Sequence, residues 1–169
     1  MDGNGSVPGS AAGSAAGAGP RVSRFGRFMI GLLQSPLAGL AGGAVLVRYV
    51  GRRSGLTRQL PVRCERWDGG RLIRVGRPEQ KRWWRNFTEP APIELVRGRS
   101  VSRGTAVVVL GSTDSGRQIA AACFDRHSGY ARRAGLPNRQ KGETFDPAAV
   151  AAAAAPLVFV VVTPEPAAR

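Results

Sequence analysis

The sequence predicts a mainly β, α+β domain in which five or six antiparallel strands, in hairpin order, form a small closed or partly open barrel with flanking helices. Three observations carry this expectation. Short apolar runs rich in valine recur between turn signals. The tripeptide "DGG" at 68–70 is a strong hairpin turn between two of them. The connections between strands are too short for the helical crossovers that a parallel sheet requires. With 169 residues and 43% hydrophobic content, the chain can build one domain with a real core and falls short of two.

Residues 1–20, "MDGNGSVPGSAAGSAAGAGP", are Gly, Ala, Ser and Pro with a single charge. They cannot bury enough apolar surface to offset their ordering entropy, so a disordered tail is expected. Residues 21–34 place Val22, Phe25, Phe28, Met29, Leu32 and Leu33 at helical spacing with arginines on the other face, an amphipathic helix. From Phe28 to Val47 there is no charge, and Arg21, Arg24 and Arg27 precede the run as in a signal or anchor segment. Gln34, Ser35, Pro36 and four glycines divide it, which argues against a span. Packing of the helix on the protein's own core is the expectation, with contact to anionic lipid as its alternative role.

The barrel domain is expected over 35–165. Residues 44–50, "AVLVRYV", form a first strand and lead through "GRRSG" into a second at 57–67. "RLIRV" at 71–75 follows the "DGG" turn. "GRPEQKRWWRNF" is a loop and a short helix, with Pro78 suited to the helix's first turn. "APIELVRGRSVSRGTAVVVL" gives two strands around "RGR". One helix is expected from an Asp or Ser cap near 114 to about Ala134. "PAAVAAAAAP" is a weak helix, and "LVFVVVT" at 157–163 is a buried last strand.

The net charge of +14 is uneven. Residues 21–110 hold 18 basic and 5 acidic side chains, whereas residues 111–169 hold 7 and 5. Such a field suits a polyanionic partner: a phosphorylated cofactor, a nucleic acid or an anionic membrane. Of the 25 basic residues only Lys81 and Lys141 are lysines, which partly reflects a coding bias toward arginine. Cys64 and Cys123, with the single His127, lack the spacing of a zinc or iron–sulfur site; no metal and a reduced, cytoplasmic setting are the expectation.

The chemistry concentrates in "VRYVGRRSGLTRQLPV", residues 47–62. Arg52 and Arg53 lie at the hairpin turn and Arg58 just inside the next strand. Guanidinium forks bind phosphate and carboxylate in bidentate fashion. Gly51 and Gly55 admit backbone conformations closed to other residues, and Ser54 adds a hydroxyl. Pro61 cannot donate to a ladder, so it marks an edge or bulge where backbone groups near Leu60 and Val62 stay open to a ligand. The second constellation is "KRWWRNF". In a helix, Lys81 and Arg85 would repel at i and i+4, a strain that an anion relieves. Trp83 and Trp84 would point roughly 100° apart, one into the core and one toward a pocket. His127 is expected on the polar side of its helix, facing solvent. No Ser–His–Asp or paired-carboxylate arrangement stands out, nor a GxGxxG or Walker loop, so any chemistry belongs to a bound cofactor.

"YVGRRSGLTRQLPV", followed by "RPEQKRWWRNF" and "RGRSVSRGTAVV", resembles the deazaflavin (F420)-dependent nitroreductase family, six-stranded antiparallel split β-barrels related to the FMN-binding, pyridoxamine-phosphate-oxidase-like group. The resemblance runs from about Ser35 to Leu110, with a looser echo in the later helix and final strand. It implies binding of coenzyme F420, a deazaflavin with a phosphate and an oligoglutamate tail. Arg52, Arg53 and Arg58 would hold the tail with help from Ser54 and Gly55. Leu60, Pro61 and Val62 would offer backbone groups to the ring. Lys81, Trp84, Arg85 and Asn86 would close the other side, with Gly76 and Arg77 in the intervening loop. The implied reaction is hydride transfer from the reduced deazaflavin to a quinone, nitroaromatic or enone. Tyr130 is the one candidate for the tyrosine that approaches substrate in some members. Relatives often pair barrels face to face, so a homodimer is compatible.

Three other readings use the same features. A basic barrel can bind nucleic acid, but aromatics are only 7% of residues and "WWRN" is one cluster rather than a series of stacking positions. The same fold could hold FMN or haem in place of F420. The helix at 21–34 could instead serve a protein peripheral to the inner face of a membrane.

Overall fold

The computed structural model describes residues 43–140 and 143–166. The expected tail at 1–20, the amphipathic helix at 21–34 and the uncharged run up to Gly42 lie outside the described residues. Among those described, no helix is long and apolar enough to cross a membrane.

Among the described residues seven strands form one sheet: β1 (Ala44–Val50), β2 (Thr57–Arg63), β3 (Glu65–Trp67), β4 (Gly70–Arg74), β5 (Ala91–Arg97), β6 (Ser100–Leu110) and β7 (Val158–Pro164). Their order is β2-β1-β5-β6-β7-β4-β3, and every ladder is antiparallel. The expected α+β class is therefore observed, but the sheet does not close into the six-stranded barrel. The extra strand arises because the run at 57–67 is interrupted at Cys64. The first part pairs with β1 and the second with β4, so its two halves become the two edges of the sheet. Cys64 keeps one bond to the β1 side, its N–H donating to the Gly43 carbonyl at 3.1 Å.

Turn chemistry sets these registers. Asp68 (φ 40°) and Gly69 (φ 70°) both take positive φ, as a two-residue hairpin turn with the twist of its strands requires. Trp67 then faces Gly70. Gly98 (φ 60°) serves the "RGR" hairpin, where Arg97 faces Ser100.

Alternation along the strands makes two cores. One face sends Val47, Tyr49, Ile73, Ile93, Leu95, Val160 and Val162 into a cluster with Phe87. The other face sends Leu72 and Phe159 against three helices: α1 (Asp114–Arg126), α2 (Ser128–Arg133) and α3 (Pro147–Ala154). Full burial of a side chain such as Phe159 stabilises the fold by about 2–3 kcal/mol. Arg48, Glu94 and Arg103 stand opposite one another on β1, β5 and β6, and the carboxylate bonds both guanidinium groups, at 2.8 and 3.2 Å.

The helices depart from expectation in two ways. The single helix expected over 114–134 is broken at His127 (φ −135°, ψ 85°), where Ser128 and Gly129, both weak helix formers, follow. Its cap is Thr113 rather than Asp or Ser: the Thr113 hydroxyl accepts from the Gly116 N–H at 3.1 Å and donates to the Leu110 carbonyl at 2.7 Å. A Cβ on Gly116 would collide with that carbonyl, so only glycine lets α1 start this close to the end of β6.

Candidate functional site

The β1–β2 turn holds Arg52, Arg53, Ser54 and Gly55. Gly51 shapes it: its N–H donates to the Leu56 carbonyl at 2.9 Å, and its carbonyl accepts from Ser54 and Gly55 at 3.2 and 2.8 Å. Gly55 has φ 62°, a left-handed conformation, and a Cβ there would meet nothing within 4 Å. The Ser54 hydroxyl accepts from the Leu56 N–H at 3.4 Å.

A 3-10 helix, Trp83–Phe87, docks on this turn. It starts five residues after Pro78, so the proline lies in the preceding loop and Lys81 precedes the helix; the expected i, i+4 relation of Lys81 and Arg85 does not form. Asn86 is the hinge between the two motifs. Its Oδ1 accepts from the Arg52 main-chain N–H at 2.9 Å, and its Nδ2 donates to the Trp83 carbonyl at 2.7 Å. The Arg52 guanidinium donates to the Thr88 hydroxyl at 2.9 Å and to Glu89 at 3.1 Å. Thr88 and Glu89 were not expected at the site. The acid following "WWRNFT" was the available signal, a carboxylate close in sequence to Arg77, Lys81, Arg82 and Arg85.

Both tryptophans are half-buried and pack against the first core. Trp83 meets Phe87 edge to face, with ring centroids 6.2 Å apart. Trp84 donates from Nε1 to the Pro78 carbonyl at 3.1 Å, and the Arg85 guanidinium lies 5.3 Å above its ring. The loop between carries Gly76 and Arg77, the latter at φ 53°. Lys81 Nζ reaches back to within 3.9 Å of where a Cβ on Gly76 would lie.

On β2, Arg58 faces Tyr49 directly across the ladder and shares a face with Leu60 and Val62. Burial pushes the Tyr49 phenol above its ordinary value, and the nearby Arg58 charge partly offsets this. Among the described residues Pro61 lies on a strand that pairs only with β1, the edge position expected from proline. Among the described residues, Arg53, Arg58, Arg77, Lys81 and Arg85 make no ion pair with a carboxylate. The Arg52–Asn86 bond thus joins the turn to the 83–87 helix, and Leu60, Val62, Trp83 and Trp84 pack against the same core.

Tyr130 lies elsewhere, on α2 beneath Arg74, whose guanidinium is 4.0 Å from the ring centroid. His127 is exposed, as expected, and its Nε2 also lies 3.0 Å from Glu65. Glu65 also lies 4.0 Å from Cys123 Sγ. Burial pushes the thiols of Cys64 and Cys123 up to about 11 each.

No family model matches the chain, and no curated protein matches it. Among solved structures, one named F420 reductase is similar over 80% of this chain and 92% of that one, at 15% identity and a TM-score of 0.36.

Proposed function

We propose that the chain binds coenzyme F420 beside its antiparallel sheet and serves as an F420-dependent oxidoreductase. The observation that carries this reading is the Arg52–Asn86 bond, which joins the two sequence motifs into one site. The chemistry of the donor set fits the cofactor's two parts. Arg53 and Arg58, which form no ion pair among the described residues, supply guanidinium forks for a phosphate and oligoglutamate tail. Gly55 leaves open space beside the turn for close approach. Leu60, Pro61 and Val62 lie on a strand at the edge of the sheet formed by the described residues, suited to a flat hydrogen-bonding ring.

Arg52 has a different task from Arg53 and Arg58. With its guanidinium held by Thr88 and Glu89, it fixes the turn against the 3-10 helix and so orients its neighbours. Lys81, Arg77 and Arg85 add positive charge across the site, and Trp84 gives it an apolar wall. Reduced F420, when bound, supplies a hydride to an electron-poor acceptor such as a quinone, nitroaromatic or enone. The protein's contribution is binding, orientation and exclusion of water.

The test is turnover. Purified protein with reduced F420 and a panel of quinone, nitroaromatic and enone acceptors should restore the oxidised deazaflavin absorbance at a rate proportional to protein. No protein-dependent oxidation with any acceptor would contradict an oxidoreductase and leave, at most, a cofactor-binding protein.

A further inference from the structure

A second basic site stands apart from the turn. An open cavity of about 590 Å³ lies at the far end of β2, walled by β2, β3, the end of β4 and the α1–α2 junction. It is lined by four arginines, Arg63, Arg74, Arg126 and Arg133, and by a single carboxylate, Glu65. The hairpin register runs from Val50 opposite Thr57 to Ala44 opposite Arg63. Six residues of extended strand, about 20 Å, therefore separate this cavity from the "GRRSG" turn.

The one carboxylate is already engaged. Glu65 meets His127 Nε2 at 3.0 Å and lies 4.0 Å from the Cys123 thiol. Among the described residues, none of the four arginines forms an ion pair. Two of them are held in place by rings rather than by acids: Arg74 lies over Tyr130 at 4.0 Å and Arg126 over Trp67 at 5.0 Å. A stacked guanidinium keeps its N–H edge available, and its orientation is fixed before any ligand arrives. Like charges gathered around one cavity repel, and an anion between them removes that cost.

We propose that this cavity binds a small molecule carrying at least two negative charges, carboxylate or phosphate. Arg74 and Arg133 grip it from opposite elements, β4 and α2, while Glu65 limits how much negative charge the site accepts. Neither Arg53 nor Arg58 lines the cavity, but it begins next to Val62, where the proposed ring edge ends, and includes Tyr130, so the anion would lie beside the deazaflavin site.

Isothermal calorimetry on the full chain tests it, with citrate and pyrophosphate as probes at constant ionic strength. One-to-one saturable binding of at least one probe is expected: citrate alone marks a carboxylate ligand, pyrophosphate alone a phosphate, and both mark charge as the selector. The double variant Arg74→Gln, Arg133→Gln should weaken binding at least tenfold, and Glu65→Gln should tighten it severalfold. Arg53→Gln, Arg58→Gln should leave it within twofold. Where the double variant fails to fold by circular dichroism, Glu65→Gln and the exposed Arg133→Gln decide, since they must move affinity in opposite directions. Absence of saturable binding, or loss in the Arg53/Arg58 variant instead, would each overturn the anion site.

Discussion

The main-chain N–H of Arg52 donates to Oδ1 of Asn86 at 2.9 Å, across 34 residues of sequence. The same amide donates from Nδ2 to the Trp83 carbonyl at 2.7 Å, so one side chain ties the arginine turn to the tryptophan helix. Both bonds need the amide as it stands, with an acceptor on one side and a donor on the other.

Asn86→Ala removes both bonds and leaves two polar backbone groups without their partner. It should lower stability by about 1–3 kcal/mol and weaken F420 binding more than Asn86→Asp, which retains an acceptor for Arg52. Urea unfolding and cofactor titration of the two variants check this together. Equal binding by both variants would mean that the turn holds its shape without Asn86.

Glu94 gives the fold an acid-sensitive element. Hydrogen bonds from Arg103 and Arg48 hold its carboxyl below the ordinary value of 4.5, against a smaller opposing effect of burial. A depressed folded value means that the unfolded chain takes the proton first as pH falls. The contribution is fully present above about 4.5, is lost between that value and the lower folded one, and is absent below it. The stability gap between the native chain and Glu94→Gln, measured by urea unfolding, should be constant from pH 6 to 8 and shrink below pH 4.5.

The cysteines respond at the opposite end of the scale. Burial holds both thiols near 11 against an ordinary 9.0, so the folded chain keeps these protons where the unfolded chain has lost them. Their contribution is complete below pH 9 and disappears as pH rises through 11. At neutral pH an aromatic disulfide reagent should label both thiols slowly in the folded chain and rapidly after unfolding in urea.

The start of α1 rests on a cap and a close approach. Thr113→Ala removes the acceptor for the Gly116 N–H and should cost about 1 kcal/mol. Gly116→Ala should cost more, since its Cβ would collide with the Leu110 carbonyl and α1 must shift. Thermal unfolding should rank the Gly116 variant below the Thr113 variant; the reverse order would place the strain elsewhere.

Local patterns in the sequence accounted for much of this fold. "AVLVRYV", "DGG" and "LVFVVVT" carry their own strand and turn signals, and each element appears where the pattern puts it. Cys64 and His127 carry no such signal. A strand breaks at the first because its two halves find different neighbours, and a helix breaks at the second where weak helix formers meet a tertiary partner, Glu65. The candidate site was legible as two motifs, but their junction was not: nothing local tells Asn86 to seek the Arg52 main-chain N–H. The second cavity was invisible for the same reason, since Arg63, Arg74, Arg126 and Arg133 come from three separate segments.

The central claim is that Arg53 and Arg58 hold the anionic tail of a deazaflavin cofactor. Fluorescence titration of oxidised F420, with FMN as competitor, tests it on the native chain and on the Arg53→Glu, Arg58→Glu variant. The account predicts saturable binding that FMN displaces poorly and that the variant loses by at least tenfold. Binding of equal strength in the variant, or no binding of F420 to the native chain, would contradict it.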